Sequence, residues 1–366
     1  MALPYFLDPF GVGKKSVPRY GFRIDESNPS PEIERIYDSV GMVANVGTSL
    51  VDNPRNDFDG VYPFNSISKE TIAGNVMVKI PKFYISRKRY EDGGKWYFEV
   101  AICETKFDES YVPHEMFLRG NVQYFGQNPD GDYNDYTYVA AYETSNNKST
   151  SGVMPQVSQT RATHRANART IGDGWTIQDI ATWDGLWTLF HVVFANRNSQ
   201  AVMRGNYSNA RKPTGLTDNS SASCVQIDNI SMSFYGIENL YGNVYKWTDG
   251  ANTNGIYAYV CTRIPDYEDN TSDNYIHVGY NRIIAAGYIT NLGFDPNAPF
   301  ARFATAVGGN AEIFYCDYQY AYSAWNAVAV GGTQTGVEQQ GVSFFYNLSS
   351  TVAPADAGSR LAYRPF

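Results

Sequence analysis

The side chains that most often carry chemistry are few and scattered in this chain. The histidines are His114, His164, His191 and His277, and the cysteines are Cys103, Cys224, Cys261 and Cys316. No His-x-x-x-His pair and no Cys-x-x-Cys motif occurs. We therefore expect His191 to be a core or rim histidine, the other histidines to be isolated, and the thiols to be free and buried. The sequence predicts no metal site and no disulfide framework.

Two short motifs resemble ligand-binding loops but lack parts that those loops need. In Gly11–Ser16 the first glycine has the wrong spacing for a phosphate loop, and Lys15 stands where serine or threonine is required. Asn128–Tyr136 has alternating acidic residues like a calcium loop, without the glycine at its sixth position or the glutamate at its twelfth. We expect a solvated loop there, with a structural calcium as the alternative, and no cofactor.

No enzyme signature is present in the sequence. The chain has no Gly-x-Ser-x-Gly elbow and no carboxylates at a spacing that would pair them. We therefore expect a protein that is not an enzyme. Carboxylates that are distant in sequence can still converge in a fold, so an enzyme with an unrecognised site stays open as an alternative.

Residues 302–366 have the composition of a binding surface. They contain no lysine, and Phe314–Trp325 holds six aromatic residues within twelve positions, interleaved with small polar residues. Tyrosine and tryptophan provide large, stiff contact area with a polar tip, and they dominate many binding surfaces. The predicted ligand-binding residues are Phe314, Tyr315, Asp317, Gln319, Tyr320, Tyr322, Trp325, Asn326, Thr333, Gln334, Thr335, Gln339 and Tyr346. The alternative is ordinary β-structure with these rings in the core.

Strand alternation divides the same stretch into two faces. If it is a strand, Phe314, Cys316, Tyr318, Tyr320 and Tyr322 point one way, and the residues between them point the other. Even so, substantial exposure is expected on both faces. The residues expected to be exposed are Tyr315, Asp317, Gln319, Tyr320, Tyr322, Trp325, Asn326, Gln334, Thr335, Gln339 and Tyr346.

Composition excludes several classes of protein. Charged residues make up 18% of the chain, aromatic residues 15%, and the formal net charge is −8. These values are typical of a β-rich globular protein, and the missing basic stripe argues against nucleic-acid binding. The first residues do not resemble a signal peptide, and no segment has the apolar length of a membrane helix. We expect no membrane insertion.

Periodicity predicts an N-terminal segment and one larger domain. Residues 1–70 are loop-rich, with too little periodicity for a convincing core, and we expect them to serve attachment or oligomerisation. From Val76, VMVKIPKFYI and KWYFEVAIC flank an EDGG turn and predict a hairpin. Helices are expected between Ser158 and Asn198, with an apolar face of Ile180, Trp183, Leu186, Trp187, Phe190 and Phe194. Short strands and long loops should follow in residues 71–366.

The stretch Gly242–Trp247 (GNVYKW) resembles the Gly-Asn-Val-x-x-Trp motif of the C-type-lectin-like fold, in the branch of formylglycine-generating enzymes. Gly358–Arg360 is similar to that family's Gly-x-Arg near the C-terminus. The resemblance covers roughly residues 71–366. It implies an α+β fold with short strands, long loops and packed helices, and a tryptophan, Trp247, in the core.

Departures from this family bear on function. The enzymes of the branch bind copper through two nearby C-terminal cysteines, whereas residues 302–366 contain Cys316 alone. The calcium-binding triplets of sugar-binding lectins are also missing. The tail is more similar to the variable proteins of diversity-generating retroelements, including phage major-tropism-determinant proteins, which display a diversified patch on this fold. That resemblance implies a variable ligand-binding region at 302–366.

The expected function is receptor binding at a phage tail tip, so the expected location is the virion. The implied partners are a bacterial cell-surface protein or glycan and other phage tail proteins, and the resemblance implies a homotrimer. A bacterial surface or secreted variable ligand-binding protein is the second interpretation. A formylglycine-generating-enzyme-like enzyme with an altered site is the third.

Overall fold

The computed structural model describes residues 17–335 and 340–366, and its regular structure is mostly sheet with few helices. The first strands are β1 (Arg19–Asp25), β2 (Glu34–Tyr37), β3 (Ser68–Ile72), β4 (Asn75–Pro81), β5 (Tyr84–Asp92), β6 (Lys95–Cys103), β7 (Val112–Pro113), β8 (Tyr136–Ala140), β9 (Trp175–Ile177), β10 (Cys224–Ile227), β11 (Ser231–Phe234) and β12 (Ile237–Glu238). The later strands are β13 (Tyr245–Asn254), β14 (Tyr257–Val260), β15 (Ile276–His277), β16 (Gly287–Leu292), β17 (Ala304–Val307), β18 (Tyr318–Tyr320), β19 (Trp325–Val330), β20 (Phe345–Leu348), β21 (Ala357–Gly358) and β22 (Leu361–Tyr363). The helices are α1 (Arg161–Arg169), α2 (Ile180–Phe194) and α3 (Ser199–Val202). Among these described helices none is long and apolar enough to cross a bilayer.

The N-terminal segment is part of the main core. Strand β1 pairs antiparallel with β6 over its whole length, in a sheet of order β2-β1-β6-β5-β7. Phe22 and Ile24 alternate inward from β1, and Phe58 and Phe64 join the same buried cluster. The expectation of too little core in residues 1–70 is therefore wrong for the part from residue 17 onward. Its role in attachment or oligomerisation stays a prediction.

The predicted hairpin exists, but its first strand begins at Tyr84, later than the predicted Val76. Strands β5 and β6 pair from Tyr84↔Cys103 to Asp92↔Lys95. Gly93 and Gly94 connect them with positive φ of 57° and 78°, the backbone region that tight hairpin turns require. Strand β4 belongs to a different sheet, of order β3-β4-β8-β22-β9, so the chain changes sheets between Pro81 and Tyr84.

The largest sheet in the described residues has nine strands. Its order is β15-β14-β13-β19-β20-β18-β16-β17, and β21 adds a parallel pairing with β13. Within β19, Val328 and Val330 face the main core, while Ala327 and Ala329 face a second buried cluster that contains Trp247. Because successive side chains in a strand point to opposite faces, this sheet separates the two clusters. One face of it carries the C-terminal tyrosines.

Helix α2 lies in the core and is buried along its whole length, not only on the predicted apolar face. Asp179 caps its N-terminus by accepting a 2.8 Å hydrogen bond from the Thr182 amide. The helix ends at Ala195, which has a positive φ of 48°. His191 is fully buried, with Nδ1 2.8 Å from the Trp187 carbonyl, so the prediction of a core histidine is confirmed.

The two motifs that carry the family resemblance, Gly242–Trp247 and Gly358–Arg360, contain buried residues that form hydrogen bonds. Trp247 is 0% exposed, as predicted. Lys246 is also buried and lies 2.9 Å from the Glu143 carboxylate. Arg360 donates hydrogen bonds to backbone carbonyls, including those of Ala140 and Asn239 at 2.8 and 3.0 Å. These contacts join segments that are distant in sequence, and they explain the motif residues structurally.

We expect acid to destabilise the fold through its buried histidines. Burial lowers the pKa of His164 to about 4 and also lowers that of His191 to about 3. The unfolded chain takes up protons below about pH 6.5 while the folded chain keeps these rings neutral, so stability falls as pH decreases from about 6.5 toward 4. For His164 alone, the free energy of unfolding at about pH 5 should be roughly 2 kcal/mol lower than at neutral pH. Urea unfolding at about pH 7 and pH 5 measures it, and His164→Gln should show a smaller difference between the two. Equal differences in both proteins would contradict the prediction.

Candidate functional site

The alternation predicted for the tail determines which of its residues reach the surface. The regular strand is short, Tyr318–Tyr320. Tyr318 and Tyr320 are half-buried on the outer side, whereas Gln319 between them is 2% exposed. Beyond the strand, Tyr322 continues the outer set and is 50% exposed. The outer residues of this segment therefore form the candidate surface.

Four tyrosines form one contiguous surface, which we call the tail patch: Tyr318, Tyr320, Tyr322 and Tyr346. The register pairs Tyr320 of β18 with Tyr346 of β20, and their ring centroids are 5.1 Å apart. The Tyr318 and Tyr320 rings are 4.8 Å apart. Burial and a hydrogen bond with Tyr322 raise the pKa of Tyr346 to about 12, so its hydroxyl is protonated at neutral pH. The patch offers ring faces together with hydroxyl groups that donate and accept hydrogen bonds.

Buried polar residues hold the turn that carries Tyr322. The Tyr322 carbonyl accepts hydrogen bonds from Arg282 at 2.8 Å and from the Asn326 amide at 3.2 Å. The Ser323 carbonyl accepts one from the Gly255 amide at 2.9 Å. Because Arg282 and Asn326 are each 2% exposed, they position the turn from beneath. The most exposed ring of the tail is thus presented on a fixed backbone.

A second aromatic group, which we call the edge stack, consists of Tyr257, Tyr259, His277 and Trp325. The Trp325 ring stacks on Tyr259 at a centroid distance of 5.5 Å. His277 of the edge strand β15 lies 5.4 Å from Tyr259 and 5.2 Å from Tyr257. Sequence reasoning identified Trp325 and missed the other three, which precede it by about fifty residues or more. The alternation in Tyr257–Val260 was the available signal, because it places both tyrosines on one face.

Several residues expected to be exposed are buried, and those expectations are wrong: Tyr315, Asp317, Gln319 and Asn326, together with the site residue Thr333. Each has a structural partner. Gln319 donates to the Ala285 carbonyl at 2.8 Å. Asp317 accepts from the Ser343 amide at 2.7 Å, and burial raises its pKa well above its usual range. These side chains face inward and support the surface instead of forming it.

The other predicted site residues lie in different places. Phe314 is half-buried and packs against Arg197, whose guanidinium is 5.7 Å from the ring centroid. Gln334 is half-buried, and Thr335 is exposed in the turn beyond β19. Gly331 and Gly332 begin that turn with φ of 81° and 80°, which favours glycine. Gln339 lies outside the described residues.

The tail cysteine is not in the state that thiol chemistry needs. Cys316 is 2% exposed, and burial raises its pKa to about 12, so the sulfur is a protonated thiol at neutral pH. Within the described residues every cysteine is free and buried, as the sequence predicts. Reactive cysteines are typically accessible and hold a thiolate. This site is therefore unsuited to the copper chemistry of the family that the sequence resembles.

His114 is not isolated, contrary to expectation. It lies with Glu115 and Asp184 in a fully buried group, and its Nε2 is 3.1 Å from Asp184. Arg87 also contacts this group, at 2.9 Å from Glu115 and 2.8 Å from Asp184, and Arg302 pairs with Asp184. The guanidinium groups of Arg87 and Arg302 thus occupy the space around the carboxylates in which a metal ion would have to bind. The arrangement is an internal network of ion pairs.

The acidic loop for which calcium was the alternative, Asn128–Tyr136, has partners within the protein. Asp130–Asp132 is an exposed turn of 3-10 helix, and Asp132 accepts a 3.0 Å hydrogen bond from Asn128. Asp135 forms an ion pair with Lys82 at 2.9 Å. The acidic side chains of the loop therefore do not converge on one point through these contacts. A solvated loop accounts for the geometry.

Comparisons with known proteins identify no family for this chain, and the similarity to a solved structure is weak. No family model matches the chain, and no curated protein sequence matches it. Among solved structures, a similar chain is Treponema denticola variable protein 1, which is 10% identical. The similarity covers 82% of this chain and 99% of that chain, with a TM-score of 0.32. A likeness this weak establishes neither a family nor a function.

Proposed function

We propose that this protein binds a ligand on another cell or particle, and that the tail patch and the edge stack form its binding surface. The observation that carries the proposal is the sorting of residues along 317–322. Asp317 and Gln319 are buried, whereas the tyrosines between and after them, Tyr318, Tyr320 and Tyr322, reach the surface. Exposed rings contribute less to stability than buried ones, and contiguous patches of them commonly mark interaction sites.

The surface has the features of a protein or glycan binding site. Its rings are held by packing and by a fixed turn, so little conformational entropy is lost when a ligand binds. It carries tyrosine hydroxyls, which both donate and accept hydrogen bonds, and it includes His277 as an exposed ring with two nitrogens. A bacterial cell-surface protein or glycan fits this chemistry, since neither requires strong charge. Catalysis has less support, because the tail thiol is buried and protonated.

The finer identity rests on sequence resemblance. We propose a C-type-lectin-like scaffold of the diversity-generating retroelement class, within the formylglycine-generating-enzyme-like branch, at a phage tail tip. The alternative is a variable protein of a bacterial surface. Gene neighbourhood tests this: a reverse transcriptase and a near-copy of the 3′ coding sequence, differing mainly at adenines, are expected. Neighbouring genes for phage tail proteins would then favour the phage tail tip over the bacterial surface as the location of this protein.

Binding itself can be tested with labelled protein on intact bacteria. We expect saturable labelling of a subset of strains, with competition by an excess of unlabelled protein. The same experiment with an unrelated labelled protein of similar size and net charge controls for nonspecific adsorption. Labelling that does not saturate on any strain would contradict the proposal.

We expect a homotrimer in which the N-terminal segment contributes to subunit contact. Val40 and Val51 are 67% and 86% exposed, and Val43 and Leu50 nearby are also exposed apolar residues. Apolar residues grouped in this way favour burial in an interface. Sedimentation of the full chain at micromolar concentration should give a trimer, and Val40→Lys with Val51→Lys should shift it toward monomer. A monomeric wild-type protein would contradict the prediction.

A further inference from the structure

A groove on the opposite face of β15 from the edge stack has the features of a second binding site. It has a volume of about 580 Å³ and lies between the segment Asn121–Phe125, the turn Arg263–Asp266 and the segment Asn274–Ile276. Phe125 lines the groove and is 81% exposed, the highest value among the exposed aromatic side chains of the described residues. A volume of this size is typical of small-molecule sites.

The walls of the groove are fixed. The Gln123 side-chain oxygen accepts hydrogen bonds from the amides of Thr262 and Arg263 at 3.1 and 3.3 Å. Phe125 is held through its amide, which donates to Asn128 at 3.1 Å. The exposed ring is therefore carried by an ordered backbone. A ligand that binds here meets a preformed surface.

The polar groups of the lining are neutral or paired. Arg263 and Asp266 form an ion pair at 2.5 Å, which cancels their charges. Within the described residues the side-chain amides of Asn121 and Asn274 make no hydrogen bond, so both are available to a ligand. Each amide offers donors and an acceptor, and the ion pair leaves further donor and acceptor atoms at the rim.

We propose that this groove binds a neutral saccharide. The apolar face of a sugar ring stacks on an exposed aromatic ring. Adjacent sugar hydroxyls match side-chain amides, which both donate and accept hydrogen bonds, and a carboxylate, which accepts them. A charged ligand would leave its charge uncompensated here, because Arg263 and Asp266 already neutralise each other. The open shape suits one unit of a longer glycan.

The groove is separate from the binding surface proposed for the tail. Ile276 and His277 are successive residues of β15, so their side chains point to opposite faces. Ile276 lines the groove, whereas His277 belongs to the edge stack. The two sites can therefore be changed independently, and failure of one does not imply failure of the other.

The test uses the full chain and a panel of neutral probes: the methyl glycosides of glucose, galactose, mannose and N-acetylglucosamine, with cellotetraose and chitotetraose. Saturation-transfer NMR and titration should detect at least one, with a dissociation constant of about 1 mM or lower. Phe125→Ala and Asn121→Ala should each weaken binding about tenfold or more, and Phe125→Trp should retain it. Tyr322→Ala should leave it unchanged.

Melting temperature is the structural control, and it should not change in Phe125→Ala because the ring is exposed. Binding of no probe at about 10 mM overturns the proposal. Binding that survives Phe125→Ala also overturns it, since the saccharide then lies elsewhere. A shift in sedimentation of Phe125→Ala without saccharide binding would assign the groove to a protein contact instead.

Discussion

Tyr322→Ala combined with Trp325→Ala should abolish attachment to a recognised cell while the protein stays folded. Binding energy at interfaces concentrates in a few central aromatic residues, at about 2 kcal/mol or more each on truncation. Losing both rings should therefore weaken binding about a thousandfold when the two losses add. Tyr322 is 50% exposed, so its removal costs little stability. The Trp325 stack on Tyr259 contributes roughly 1 kcal/mol, which a small decrease in melting temperature would report.

The matched control is Trp96→Ala. Trp96 is 44% exposed and lies on β6, in a different sheet from the tail patch, where its ring contacts Arg89 at 4.4 Å. The Trp96→Ala substitution removes an aromatic ring of comparable exposure from a surface that is not part of the proposed binding surface. Attachment should be unchanged in this variant. Equal binding losses in both variants, or no loss in the double variant, would contradict the assignment of the surface.

The exposure pattern of the tail was predictable in part. Alternation alone places Tyr318, Tyr320 and Tyr322 on one face, and the structure agrees. Burial of the opposite set was not predictable from local sequence, because Asp317 and Gln319 are polar. They can be buried only because the Ser343 amide and the carbonyls of Ile283 and Ala285 are there to satisfy them. Those partners come from segments whose positions depend on the whole fold.

The N-terminal segment shows a different limit. Phe22 and Ile24 have the period of two that marks a strand, but the apolar signal in Arg19–Asp25 is short. Strand β1 is stable because β6 pairs with it along the whole length of β1, and the core covers one face of β1. A strand of this kind depends on tertiary pairing more than on its own propensity. The edge stack was missed for the same reason, since it requires the register of β13, β14, β15 and β19.

Trp247→Ala should cause one of the largest losses of stability available in this chain. The ring is 0% exposed and its Nε1 donates a 3.0 Å hydrogen bond to the Gln159 carbonyl. Across the strand pair it lies opposite Ala329, a small residue that leaves room for the indole. Truncating a core tryptophan costs about 3–5 kcal/mol, because apolar area is lost and a cavity remains.

Thermal unfolding should accordingly show a decrease of about 5 °C for Trp247→Ala. Trp247→Phe should lose less, since it keeps most of the ring volume and gives up mainly the hydrogen bond to Gln159. Trp96→Ala again serves as the control, and we expect its melting temperature to match the wild type. If Trp247→Ala melted like Trp96→Ala, the second core cluster would not depend on the indole. Cell attachment by the Trp247→Phe variant should be normal, because Trp247 acts through the core and does not reach the binding surface.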